Sequence, residues 1–274
     1  MPVEDCGGVS THWMRYGQGP RRAMLLHCSL AHSGAWQPLA ACLGDRLSMT
    51  AFDMPGHGRS GDWEAGDIQA ACVAMAVDLI EGADGGGPVD FIGHSFGGTV
   101  GVRLAAERPD LVRSLVAIEP VFMAVARADH PEGQAAEEAR LDGFRQAAEA
   151  GDMRRAAREF MASWGLGDAW EDLSENAKQR RTRAMRAITT GEPAIYEDTA
   201  GLLAPGGLDA VERPVLLVEG ALSPDPIRWV NEGLARRLPD ATRAVIEGAD
   251  HMAPLTHPEA VAARIAEFLD GVPV

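Results

Sequence analysis

Cysteine is scarce in this chain. Its 274 residues include four, Cys6, Cys28, Cys42 and Cys72, all in the first part of the sequence with no C-x-x-C pair. That spacing suggests neither a zinc site nor a disulfide framework, so reduced thiols are the expectation. Basic residues are also in deficit, 25 Lys and Arg against 40 Asp and Glu, for a formal net charge of −15. A field of that sign repels phosphate and argues against nucleic acid or an anionic membrane as partner. No run approaches the ~18 consecutive apolar residues of a membrane span. Residues 1–8 lack the basic and apolar regions of a secretion signal, which makes a cytoplasmic location the expectation. There is no internal repeat, and the glycine-rich stretch 84–88 reads as a loop rather than a domain linker.

The composition that remains, 46% hydrophobic and 24% charged, is that of a globular protein. At this length it can form one larger domain, or one domain with an inserted cap. Apolar runs bounded by turn residues recur at 23–26, 49–52, 89–92, 115–118, 215–218 and 243–246 and read as strands, with 11–16 as an antiparallel addition at the edge. Between them, 36–43, 68–81 and 98–107 carry apolar residues at helical spacing. Strand–helix alternation of this kind predicts an α/β fold with a mostly parallel sheet covered on both faces. The alternation stops between 121 and 205, where only helices are plausible, at 133–150, 152–164 and 174–188. In that block Phe144, Phe160, Met161, Trp164, Trp170, Met185 and Ile188 form a candidate inner face, more simply packing than a substrate pocket. The basic run Gln179-Arg180-Arg181-Thr182-Arg183 reads as a solvated helix face.

The most informative stretch is Gly93-His94-Ser95-Phe96-Gly97, flanked by a strand before and a helix after. A serine hydroxyl becomes a nucleophile only when a base takes its proton and the backbone holds it clear of the fold, and a sharp strand-to-helix turn supplies the second condition. Gly93 and Gly97 let neighbouring backbone approach, and the helix start favours an oxyanion, with Phe96 as one N–H donor. Ligands of an open parallel sheet bind beyond the carboxyl ends of its strands. Those ends here are His27-Cys28-Ser29-Leu30, Asp53 to Gly58, the Ser95 turn, Glu119-Pro120, residues 219–225, and Glu247 to His251. A nucleophile, several carboxylates and a histidine therefore meet on one edge in the chain order Ser, acid, His.

On these motifs the chain resembles the α/β-hydrolases over nearly its whole length. His27 and its loop resemble the oxyanion loop, Asp53 to Ser60 the D-x-P-G-x-G-x-S turn, Gly93 to Gly98 the nucleophile elbow, and Gly248 to His251 the histidine loop. The resemblance implies a core domain of residues 1–120 and 206–274, with 121–205 a helical lid inserted after the sixth strand. It implies Ser95 as nucleophile, His251 as general base, and Ser29 with Phe96 as the oxyanion donors, although Cys28 stands where the family usually has glycine. His27 and His57 match structural turn positions, His94 is the variable residue of the elbow, His257 precedes the last helix, and His32 is placed to line the pocket.

The acid has two candidates. The family usually has an aspartate three residues beyond the glycine that ends its seventh strand, and here that residue is Ser223. Asp225 lies two residues on, whereas Glu119 ends the sixth strand at a spacing similar to that of haloalkane dehalogenases and is slightly favoured. The resemblance implies hydrolysis of a carboxylic ester or related acyl substrate, with no metal or organic cofactor. A small-molecule acyl substrate is the expected partner, and a homodimer is left open. Lactonase, thioesterase and carbon–carbon-bond hydrolase chemistry, or an idle ligand-binding fold, are the alternatives.

Overall fold

The computed structural model describes residues 3–82, 86–164 and 169–273. Residues 84 and 85 of the expected glycine-rich loop, and 165–168 of the expected insertion, lie outside these. Along the chain run β1 (Val3–Cys6), β2 (Val9–Tyr16), β3 (Arg21–Leu26), α1 (Gln37–Leu43), β4 (Leu47–Phe52), α2 (Ile68–Gly82), β5 (Val89–His94), α3 (Phe96–Glu107) and β6 (Val112–Ile118). Among the described residues four α-helices follow with no strand between them: α4 (Met123–Asp129), α5 (Gln134–Glu149), α6 (Met153–Trp164) and α7 (Glu175–Tyr196). The alternation then resumes with β7 (Val215–Gly220), α8 (Asp225–Arg237), β8 (Ala241–Ile246), the short α9 (Ala253–Thr256) and α10 (Pro258–Asp270).

The strands form one sheet of eight in the order β1-β2-β4-β3-β5-β6-β7-β8. β1 and β2 pair antiparallel, as do β2 and β4, and every pairing from β4 through β8 is parallel. The unbroken apolar runs of the central strands follow from burial on both faces. In β3, Met24 and Leu26 face one core while Ala23 and Leu25 face the other, and Leu115/Ala117 against Val116/Ile118 in β6 repeat the division. Helices α2, α3 and α8 cover the first face, and α1 and α10 the second. The parallel register brings the ends of β3, β5, β6, β7 and β8 to one edge, with Leu26 opposite Gly93, His94 opposite Ile118 and Gly220 opposite Ile246.

Two differences from the sequence reading have local causes. The helix expected at 174–188 continues to Tyr196 and carries Pro193 inside it. Helix α8 begins at Asp225, where Pro224-Asp225-Pro226 reads as a loop; proline at the cap and in the first turn is compatible with a helix start because those N–H groups have no partner within the helix.

Candidate active site

β5 and α3 meet at Ser95, whose backbone is held at φ 56° and ψ −118°. Non-glycine residues rarely occupy positive φ, so surrounding contacts must enforce the turn. The Ser95 N–H donates to Ile118 O at 2.8 Å, and the Ser95 carbonyl accepts from Thr99 N–H at 3.1 Å. The flanking glycines are required sterically. A Cβ on Gly93 would lie 2.2 Å from Gly97 O, and one on Gly97 would lie 2.1 Å from Leu26 O. The hydroxyl of Ser95 is thereby carried beyond the strand ends, in line with the imidazole that follows β8.

That imidazole is His251. Its Nε2 lies 3.0 Å from Ser95 Oγ and its Nδ1 lies 3.0 Å from Glu119 Oε2. A carboxylate only accepts, so Nδ1 carries the proton and Nε2 is left to accept from the serine hydroxyl. Glu119 is fully buried, with φ 53° at the end of β6. Its other oxygen accepts from the Gly220 N–H and, at 2.7 Å, from the Ser223 hydroxyl. Ser223, which stands where the family usually has its aspartate, therefore serves the carboxylate that faces His251. Asp225 is not brought to the site. It sits in the first turn of α8, largely exposed, where the helix dipole favours an anion, and pairs with Arg228 at 3.0 Å. The assignment of Asp225 as an acid beside His251 is corrected on that ground.

Two further histidines support this geometry. His94 Nε2 donates to the His251 carbonyl at 2.8 Å. Burial, reinforced by the neighbouring His251 ring, pulls the His94 pKa down to about 3, so the ring is a neutral strut. His27 accepts the Met54 N–H at Nε2 (3.0 Å) and donates from Nδ1 to Cys28 O at 2.8 Å. Because a trans peptide sets its N–H opposite its carbonyl, this bond turns the Ser29 N–H away from His27. Ser29 and Phe96 both line the cavity in front of Ser95, and Phe96, as first residue of α3, has an N–H with no partner inside the helix. Asp53 closes the turn after β4 by accepting from Ser33 and Arg59 N–H groups at 2.6 and 2.8 Å.

The cavity before Ser95 is narrow, about 40 Å³, and its walls are mainly apolar, with Leu141, Phe144, Phe160, Trp164 and Ile188 among them. Trp164 lies over the His251 ring at 4.7 Å between centroids and carries the Arg140 guanidinium at 4.2 Å. Trp170 does not line this cavity; it packs against the cluster that includes Phe144 and Met185 and lies under Arg154. The Cys28 thiol does line it, and burial pushes its pKa up to about 12, which keeps it protonated at neutral pH. Sequence reasoning missed the supporting roles of His94 and Ser223, since nothing in either residue's neighbours along the chain marks its partner. Among the described residues, no group of three or more His, Cys, Asp or Glu is arranged to hold a metal ion. No described helix is long and apolar enough to cross a membrane.

Comparison with known proteins agrees with the fold. The model of the alpha/beta hydrolase family matches residues 23–264, and the chain belongs to that family. Over 263 residues it is 30% identical to a pimeloyl-[acyl-carrier protein] methyl ester esterase of Neisseria meningitidis serogroup A, covering 92% of this chain and 78% of that protein. It is also 30% identical to a 2-(acetamidomethylene)succinate hydrolase of Mesorhizobium japonicum, over 97% of this chain and 94% of the other. Among solved structures, a thermophilic esterase from Thermogutta terrifontis superposes with a TM-score of 0.68 at 21% identity, covering 96% of this chain and 93% of that one, a likeness of fold.

Proposed function

We propose that this protein is a serine hydrolase that cleaves a carboxylic ester or related small acyl substrate through an acyl-enzyme on Ser95. The observation that carries the reading is the continuous hydrogen-bonded path from Ser95 Oγ through both nitrogens of His251 to buried Glu119. Ser95 Oγ attacks the acyl carbon while His251 Nε2 takes its proton, and the negative carbonyl oxygen that forms is held by the Ser29 and Phe96 N–H groups. Collapse of this intermediate breaks the bond to the leaving oxygen, to which His251 returns the proton. Water, deprotonated by the same nitrogen, then releases the acid and restores Ser95. Glu119 fixes the imidazole tautomer and stabilises its transient positive charge.

In this reading, residues 121–205 act as a lid over a core of 1–120 and 206–274. Phe144, Phe160, Trp164 and Ile188, all from that segment, wall the cavity that would receive hydrocarbon. Both relatives named above are called esterase or hydrolase, which supports the reaction class. Screening chromogenic esters of graded acyl length tests it. Folded Ser95→Ala should lose at least ~10³-fold in turnover of any ester the wild type accepts, as when the nucleophile of a cooperating triad is removed. Retained turnover in that variant would sink the serine mechanism.

A further inference from the structure

Beside the narrow cavity lies a wider chamber of about 480 Å³, joined to it through Cys28, Ser29 and His57, which line both. Its wall includes Arg180 and Arg181 of α7, part of the basic run that reads from sequence as a solvated face. Arg181 donates to the Ala177 carbonyl within α7 at 3.5 Å, and the third arginine of the run is anchored elsewhere. Arg183 bonds Asp62 and, at 2.7 Å, the Ser60 carbonyl, and so anchors α7 to the turn after β4. Arg180 has no hydrogen-bond or ion-pair partner among the described residues, in a chain where acidic side chains outnumber basic ones 40 to 25. At the junction, His57 Nδ1 donates to Pro55 O at 2.9 Å, while its buried Nε2 has no partner. A buried neutral acceptor calls for a donor such as water rather than for an anion, so His57 marks the polar junction and the arginines alone supply the charge.

We propose that this chamber is a subsite for an anionic group on the alcohol arm of the ester, a carboxylate or a phosphate, held by Arg180 and Arg181. The inference rests on Ser95 being the nucleophile. The leaving oxygen must lie against His251 Nε2 to receive its proton, and Asp250 and Met252, the two neighbours of His251, line the chamber. The apolar cavity is suited instead to the acyl side. Guanidinium groups match planar oxyanions in charge and in geometry. Two of them on the wall, against Asp250, the single carboxylate that also lines it among the described residues, leave the chamber locally positive in a chain of net charge −15.

The test compares 4-acetoxybenzoate, anionic on the alcohol arm, with its neutral methyl ester, in wild type and in the Arg180→Gln/Arg181→Gln double variant. The ratio of kcat/KM for the charged over the neutral ester should fall roughly tenfold in the double variant, the size expected for lost charge-assisted hydrogen bonds. Lysine at both positions should restore part of it, and high salt should lower the wild-type ratio. 4-Acetoxyphenyl phosphate separates a phosphate from a carboxylate preference. An unchanged ratio, or an arginine dependence seen only with phenyl hydrogen glutarate, which carries its charge on the acyl arm, would overturn the assignment. Neutral-ester turnover that disappears in Ser95→Ala upholds the nucleophile independently of this outcome. If wild type turns over none of these esters, fluorophosphonate labelling of Ser95 decides the nucleophile, and calorimetric binding of 4-hydroxybenzoate decides the subsite. That binding should weaken about tenfold in the double variant; equal binding would refute the subsite.

Discussion

Glu119 and Asp90 are both fully buried carboxylates, yet their neighbours give them different work. Asp90, in β5, accepts from Arg21, Arg113 and, at 2.7 Å, the Ser114 hydroxyl, so its charge is neutralised in place as part of the fold. Glu119 has the Gly220 N–H, the Ser223 hydroxyl and an imidazole that can acquire charge during a reaction. If it orients His251, Glu119→Gln should lower kcat by ~10²- to 10⁴-fold with little change in KM. Asp225→Asn should be mild, because that carboxylate pairs with Arg228 at the surface. The reverse pattern in steady-state kinetics would return the role to Asp225. Ser95, His251, Ser29 and Phe96 were legible as site candidates because each follows a strand end with a recognisable turn. The choice of acid was not, since it depends on where α8 begins and on a contact between residues 119 and 223 far apart along the chain.

Among the elements, the four helices between β6 and β7 do most to shape the approach to Ser95. Helical periodicity located α5 and α6 to within a residue or so, because their apolar faces pack on one another and on α7. α4 and the last turns of α7 were not legible. α4 is a short helix whose first four residues are all buried and whose polar residues Arg127 and Asp129 come only at its end, so no helical period shows, and Pro193 in α7 reads as a terminator although the helix passes through it. The segment is tied internally by Arg140 to Ser163 O at 2.7 Å and Arg145 to Glu192 at 2.9 Å, and to the core by Trp63 Nε1 to Thr190 at 3.0 Å. Trp164 reaches the cavity and Trp170 does not. Trp164→Ala should therefore change the relative kcat/KM among acyl lengths in favour of longer chains, and Trp170→Ala should not. Equal scaling of every ester by the Trp164 change would show that the tryptophan only covers the site.

For the whole molecule, the sheet and its two cores were legible because a strand buried on both faces must be apolar throughout, and five such runs stand out in the sequence; the sixth expected run lies in edge strand β8, which is mostly exposed. The outermost strand β1 was not, since three of its four residues are exposed and carry no pattern. The site imposes a cost that the whole fold bears. Burial lowers the pKa of His27 and His94 to about 3 and that of His57 to about 4. Each of these rings takes up a proton on unfolding, so the stability they leave intact above pH ~6.5 is lost as pH falls toward their folded values, by about 1.4 kcal/mol per pH unit for each. Urea unfolding between pH 7.5 and 5 should record a steep decline; a flat profile would contradict neutral burial of these rings. The claim on which the account turns is that Ser95 is an activated nucleophile in a protein built to activate it. Mass spectrometry of the wild-type protein after exposure to a fluorophosphonate tests this most directly. One covalent adduct, mapped to Ser95 and absent from the His251→Ala variant, is the expected result, whereas a folded protein that forms no adduct, or forms one elsewhere, would contradict the account.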